Sequence, residues 1–346
     1  MEKASIQAVA KEAGVSVSTV SRTFAKPELV LPQTRAKVME AAKRLGFRIS
    51  RSAAALKSGQ SFRVAMLISG DVTTWFNANV YAGLDDVLHA AGYDIAVYPM
   101  ADAEQRREFF TNLPVRRNAD AVVVCSFNIE PKEVSKLKEM NVPVLGVNIP
   151  SSEGFDGGVS IDDHAAERVA AEHLIALGHR RIAFVGYAPA REGDDGSADA
   201  MRFSATARLH GLLEACAAHP GVEAVPLFIE HDEHAANAAL NAVINATPAP
   251  TAVALCDDDL AIPMLFRMRQ YGRRIPDDLS VVGFDDARFA REVGLTTLRQ
   301  DPRAMGAEVA RIALAMIGAG PEGMRPDFRT PPVQLMLRES TAPLAS

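Results

Sequence analysis

From residue 61 onward, short apolar runs alternate with segments of helical period, and that alternation restricts the possible folds more than any other feature of the chain. The runs at 64–68, 95–98, 121–125 and 144–147 have the length and the Val, Ile and Leu content of strands buried on both faces. Between the first two, Val80, Leu84, Val87, Leu88 and Ala91 keep the spacing of a helix laid on a parallel sheet. A second set of runs follows at 182–185, 225–229, 252–255 and 279–284. The expected class for this region is therefore α/β, built as two similar doubly wound lobes. A total of 346 residues is long enough for two or three compact units. The Gly- and Asp-rich stretch 192–198 reads as a mobile loop between a strand and a helix, placed to border a site.

The first sixty residues follow a different pattern. Ile6, Val9, Ala10 and Ala13 line one face of a helix that Ser5 is placed to cap, and Gly14 supplies the left-handed turn a sharp interhelical corner needs. Ser16 can cap a second helix in which Val20 and Phe24 face one way. Ser18, Ser21 and Arg22 are left on a short, hydrogen-bonding face of the size that enters a DNA major groove. A third helix over 32–45, with Pro32 in its first turn and Val38, Ala41, Ala42 and Leu45 on one side, completes a helix-turn-helix core.

Charge supports the division. Residues 1–60 hold six lysines and five arginines against four glutamates, a charge of +7, while the whole chain is −6, which leaves −13 on residues 61–346. A basic head on an acidic body is the asymmetry expected of a DNA-binding protein. Residues 48–59 form a linker with good helix formers but too short to be a stable helix alone. Leu56 within it is either packed on the body from a flexible tether or carried on a hinge helix that orders on DNA and wedges into the minor groove; sequence physics leaves both open.

Cys125, Cys216 and Cys256 match neither a disulfide framework nor a metal knuckle, the N-terminus has no apolar signal core, and no apolar run has the length of a membrane span. A soluble protein of the reducing cytoplasm is expected. An enzyme is disfavoured because no G-x-S-x-G, P-loop or HExxH spacing occurs, so no catalytic residue is assigned. His231-Asp232-Glu233-His234 reads as a solvated loop rather than a zinc site. No cofactor and no metal site are expected.

In open parallel sheets ligands bind beyond the carboxyl ends of the strands. Asp71, Thr73, Thr74, Trp75 and Phe76 follow the first run, Ser126 the third, Asn148 the fourth, and Asp257 and Asp285 two runs of the second set. Carboxylates, amides and hydroxyls beside an aromatic plate suit a hydroxyl-rich ligand, because the acceptors take neighbouring OH groups and the ring covers a C–H face. A sugar or polyol is the chemical expectation.

The string from Ile6 to Arg22, IQAVAKEAGVSVSTVSR, closely resembles the head of the LacI/GalR family of bacterial transcription regulators. The likeness continues through Thr34-Arg35, Ala41-Ala42-Lys43-Arg44-Leu45-Gly46-Phe47, Leu56, His173-Leu174-Ile175-Ala176-Leu177-Gly178-His179-Arg180-Arg181-Ile182, Gly283-Phe284-Asp285-Asp286 and Leu298-Arg299-Gln300, almost the full chain. It departs at Ala25, where the family often has Asn, at Leu31, where Ser or Thr usually caps the third helix, and at Asp257, which replaces a common Asn with an acceptor-only carboxylate.

That resemblance implies a homodimer whose two heads read the half-sites of a near-palindromic operator. Val17, Ser18 and Arg22 would face base edges, while Ser5, Ser16, Thr19, Ser21 and Thr34 would touch phosphates; Arg51 and Leu56 would act from the hinge. By motif, Ser204, Arg208 and Gln300 would join Thr73, Trp75, Phe76, Ser126, Asn148, Asp257 and Asp285 around a small-molecule effector. The implied division is a DNA-binding domain at 1–48, a hinge at 49–60 and an effector and dimerisation body at 61–346. Its first lobe would take about 61–161 with 292–325, and its second about 162–291 with 326–340. The function implied is a repressor of carbohydrate-utilisation genes released from its operator by a sugar-like effector. The alternatives are a co-repressor-dependent regulator answering to a nucleoside, sugar phosphate or protein, and a solute-binding protein. Without a leucine heptad at the end, a dimer is expected rather than a coiled-coil tetramer.

Overall fold

The computed structural model describes residues 5–25, 29–47, 60–100, 103–112, 119–126, 129–188, 197–320 and 326–344. The chain divides into two compact units, Met1–Ser61 and Phe62–Ser346. Arg51, Leu56 and the expected hinge helix lie outside the described residues, as do residues 192–196 of the expected loop; 197 and 198 already belong to a helix.

The first unit is a three-helix head: α1 (Ile6–Ala13), α2 (Val17–Ala25) and α3 (Pro32–Arg44). Ser5 Oγ accepts from the Ala8 amide at 3.2 Å, and Ser16 Oγ from the Thr19 amide at 3.1 Å, so both expected caps form. Gly14 sits at φ 63° between α1 and α2, a conformation that side chains other than glycine's resist. Leu31 precedes α3 with no side-chain cap, and that helix ends at Arg44 with Leu45 as its C-cap. Val9, Val20, Val38 and Ala41 are fully buried, with Phe24 and Phe47 packed against them, whereas Leu45, expected on the same face of the third helix, is exposed at its C-cap.

The second unit runs β1 (Arg63–Ile68), α4 (Trp75–Leu88), β2 (Asp94–Pro99), α5 (Ala103–Asn112), β3 (Ala121–Cys125), α6 (Pro131–Lys138), β4 (Val144–Val147) and β5 (Gly157–Val159). It continues through α7 (Asp163–Ala176), β6 (Arg181–Tyr187), α8 (Ser197–Ala218), β7 (Glu223–Ile229), α9 (Ala235–Asn245), β8 (Ala252–Leu255), α10 (Asp258–Gln270), β9 (Ser280–Asp285), β10 (Thr296–Arg299), α11 (Pro302–Met316), β11 (Phe328–Arg329) and β12 (Gln334–Met336). Two sheets result, ordered β11-β5-β4-β3-β1-β2 and β12-β10-β9-β8-β6-β7. Every pairing is parallel except β10 with β12. Five of the six residues of β1 and all of β3, β4, β8 and β9 are buried, as sheets covered by helices on both faces require.

The chain passes between lobes later than the sequence suggests. Thr296–Arg299 pairs with β9 and therefore belongs to the second lobe, whereas Phe328–Arg329 adds to β5 at the edge of the first. Both segments are too short and too polar to register as apolar runs, and only their ladder partners place them. Helix α11 lies on α4 through Gly306 and Gly83, where a Cβ would strike the backbone of Val80 and of Arg303 respectively. No helix among the described residues is long and apolar enough to cross a membrane.

Candidate functional site

In the head, α2 carries the groups suited to reading DNA. Arg22 and Ser18 are exposed on it, and Val17 is 41% exposed, an apolar side chain held out in solvent at the first turn. Ser16 ties that turn together, its hydroxyl lying 2.8 Å from both Ser18 Oγ and Thr19 Oγ1. Ser5, Ser16 and Thr34 each stand at a helix start, where backbone amides and the positive end of the dipole favour phosphate. Thr19 and Ser21 are half-buried on α2.

In the second unit, a cavity of about 140 Å³ opens beyond the carboxyl ends of both sheets. From the first lobe it takes Ser69 after β1, Trp75 and Phe76 at the start of α4, Ser126 after β3 and Asn148 after β4. From the second it takes Tyr187 at the end of β6, Ser204 and Arg208 of α8, His231 after β7, Asp257 after β8, Asp285 at the end of β9 and Gln300 after β10. Of the ten sequence-assigned effector residues, nine come together there. Thr73 does not: it is exposed, and its amide donates to Asp71 Oδ1 at 2.8 Å in a turn that lifts it off the wall. Gly70, at φ 67°, starts this turn directly after β1, so the lining resumes only at Thr74.

The backbone around the cavity is strained in a way that points to use. Ser126 (φ 53°), Asn148 (φ 47°) and Asp285 (φ 122°) occupy the left-handed region although none is glycine. Such positions persist where surrounding structure holds them, and they gather at binding sites. Asn148 Nδ2 donates to Ser204 Oγ at 3.2 Å, a direct link between the first lobe and the second.

Arg208 anchors the second-lobe wall. Its Nε donates to Asp163 Oδ1 at 2.8 Å, its Nη1 to the Cys256 carbonyl, and its guanidinium carbon lies 3.4 Å from the centre of the Phe284 ring. Burial pushes the Asp285 carboxyl well above the usual carboxylate range, although the nearby Arg208 pulls the other way; Gln300 Nε2 donates to its Oδ1 at 2.6 Å. Tyr187 donates from its hydroxyl to Asp257 Oδ2 at 3.1 Å and meets the His231 ring edge-on at 4.5 Å.

The acidic triplet 257–259 separates into three roles. Asp257 is both wall and helix cap: its Oδ1 accepts from the Leu260 amide at 2.7 Å, so each of its carboxylate oxygens already has one protein donor. Asp258 is fully buried away from the cavity, accepting from the Thr297 hydroxyl and the Ala287 amide, both at 2.8 Å. Asp259 reaches the cavity. Sequence reasoning missed Ser69, Asn77, Tyr187, His231 and Asp259. The strand-end rule would have found Ser69 and Tyr187; His231 lay in a stretch read as solvated loop, and it is exposed but borders the cavity. Asn77 supports the site from below, donating to the carbonyls of Ser69 and Asp71 at 3.1 and 3.0 Å.

Comparison with known proteins agrees with both units. Residues 5–50 match the model of bacterial regulatory proteins, lacI family, and residues 171–341 match that of the periplasmic binding protein-like domain. Catabolite control protein A of Priestia megaterium is 29% identical over 316 residues, spanning 88% of this chain and 90% of that one. The HTH-type transcriptional regulator CelR of Thermobifida fusca is 29% identical over 347 residues, spanning 97% of each. Among solved structures, a lac repressor dimer bound to operator and an anti-inducer shares the fold with a TM-score of 0.80 at 22% identity, over 99% of this chain and all of that one. A CelR–cellobiose complex aligns with a TM-score of 0.66 at 26% identity, over 98% of this chain and all of that one.

Proposed function

The chain belongs to the lacI family of bacterial regulatory proteins, DNA-binding transcription regulators, and from that membership we propose that it represses carbohydrate-utilisation genes until a neutral sugar enters the cleft. The observation that carries the effector class is the wall itself. Asp257, Asp259 and Asp285 line the cavity, and the one guanidinium among the described lining residues, Arg208, is already engaged by Asp163. Acceptors in excess of free cations favour hydroxyl donors and oppose a phosphate, while Trp75 and Phe76 offer faces for apolar C–H groups. That CelR is known in complex with cellobiose supports the same class.

The working unit is a cytoplasmic homodimer whose paired α2 helices enter successive major grooves of a near-palindromic operator. A sugar that binds one arrangement of the lobes more tightly than the other shifts the population between them, and operator affinity falls by the same coupling. Asn148 and Ser204, bonded across the cleft, are the contact such a shift would break or remake.

Two measurements check this reading. Melting the 346-residue chain against sugars, polyols, sugar phosphates and nucleosides should give its largest rise with a neutral sugar. Saturation at about 100 times the dissociation constant adds roughly 2.7 kcal/mol, a shift of several degrees. A rise confined to phosphorylated ligands would overturn the proposed effector class. On the DNA side, selection from a random duplex pool should give a palindrome with wild type, and Arg22→Ala should lose preference at one position per half-site, costing about 1–3 kcal/mol there. An unchanged selected sequence would remove Arg22 from base recognition.

A further inference from the structure

A second cavity adjoins the cleft at Gln300 and follows the groove between β5, α11 and the chain after β11; at about 440 Å³ it is the roomier of the two. Its walls are apolar: Val159, Ile161, Met305, Ala307, Pro331 and Pro332. Its polar groups fall into two clusters, one at the start of α11 and one about two turns further along it, where Arg329 of β11 joins. Gln300 and Asp301 mark one end, at the start of α11, and Glu308, Arg311 and Arg329 the other. Seven residues separate Asp301 from Glu308, about 10 Å of helix.

The two ends ask for different chemistry. Gln300 is 6% exposed; its Nε2 is spent on Asp285, and its Oε1 is buried with no hydrogen-bond partner among the described residues. Asp301 Oδ1 accepts from the Ala304 amide at 2.9 Å, and nothing donates to its other oxygen among the described residues. This end lacks donors. At the far end one carboxylate serves two guanidiniums: Glu308 Oε2 pairs with Arg311 Nη1 at 2.7 Å, and its Oε1 pairs with Arg329. Among the described residues that end carries one unmatched positive charge, on side chains whose planar groups bind carboxylates in two-point fashion and stack on aromatic rings.

We propose that this groove is a small-molecule site for a hydroxyaryl carboxylic acid, with the carboxylate on Arg311 and Arg329, the ring between Met305, Ile161 and Pro331, and the hydroxyl donating towards Gln300 and Asp301. A para-substituted acid of benzoate to cinnamate length spans the interval between the two polar ends. Because Gln300 lines both cavities and holds Asp285, the site shares a side chain with the cleft.

The test is calorimetric titration of the full chain with 4-hydroxycinnamate and 4-hydroxybenzoate, with cinnamate and 4-hydroxycinnamamide as controls. Saturable binding of one acid per chain is expected, weakened several-fold without the hydroxyl and at least tenfold when the acid becomes the neutral amide. The double variant Arg311→Ala/Arg329→Ala should lose at least tenfold, and Ala307→Phe, which fills the groove, should abolish binding while melting like wild type. Glu308→Gln should bind more tightly, because it releases both guanidiniums. No saturable heat with either acid, binding that survives both Ala307→Phe and the double arginine variant, or an amide that binds as well as its acid would each overturn the proposal.

Discussion

Arg208→Ala is expected to lower the stability of the second unit by about 3–5 kcal/mol and to remove its response to effector, the largest single-residue effect anticipated in the cleft. The side chain is 6% exposed and its charge is matched by Asp163, which is 5% exposed. Deleting one partner of such a pair leaves the other buried and uncompensated, which is where most of the cost arises. It also strips the cover from Phe284 and frees the Cys256 carbonyl just before the α10 cap. At about 2–4 °C per kcal/mol the midpoint should fall by roughly 10 °C. The double change Asp163→Asn with Arg208→Gln separates the two roles. Neutral at both positions, it should recover most of the stability yet still fail to bind the sugar found by the melting screen. A single variant that loses less than about 1 kcal/mol and keeps its ligand would show that the pair is dispensable to both.

That pair also marks where sequence reading stops. Strands β1, β3, β4, β6, β8 and β9 announce themselves as apolar runs because both faces are covered, the edge strands β2 and β7 do so although half-buried, and the head announces itself because its caps, glycine turn and helical spacing are local. Strand β5, with two glycines among its three residues, and the two- to four-residue strands β10, β11 and β12 carry no such signal. They exist because neighbouring strands supply ladder partners, for β11 as far back in the chain as β5, and the points where the chain changes lobes follow from those pairings rather than from local pattern.

The site divides in the same way. Residues directly after an apolar run were legible from the strand-end rule, which gave Ser126, Asn148, Asp257 and Asp285. Thr73 was over-read because a turn at Gly70 takes the chain away from the wall before α4 returns it. Tyr187 was absorbed into a strand by its ring, although its hydroxyl is the part that meets Asp257. The bond from Arg208 to Asp163 joins residues 45 apart, and Glu167, one turn further along α7, gives no sign in the sequence that it is buried.

Glu167 is the source of the second large effect, a stability that falls as pH rises. Glu167 is 1% exposed, its Oε1 has no hydrogen-bond partner among the described residues, and burial pushes its carboxyl up to about 8 from an ordinary 4.5, with Arg208 opposing the rise and Asp163 adding to it. Between those two values the folded chain holds a proton that the unfolded chain has released, so unfolding becomes easier with each step in pH. The stabilisation is fully present below about 4.5, declines by up to about 1.4 kcal/mol per pH unit, and is gone above about 8. Asp258, pushed up to about 7 chiefly by burial, acts in the same direction over a lower window. Carboxyls held low by hydrogen bonds, such as Asp278 beside Arg274, act oppositely but only in more acid solution, and they are exposed. Urea unfolding should therefore give wild type a midpoint lower at pH 8.5 than at pH 5.5, by an amount on the order of a few kcal/mol in stability. Glu167→Gln keeps the shape and cannot ionise. It should match wild type near pH 5 and exceed it at pH 8.5, flattening the profile down to the part owed to the other raised carboxyls, Asp258, Asp259 and Asp285. Parallel profiles for the two proteins would mean that Glu167 titrates like an ordinary carboxyl, and that its burial is relieved by water or by motion of α7.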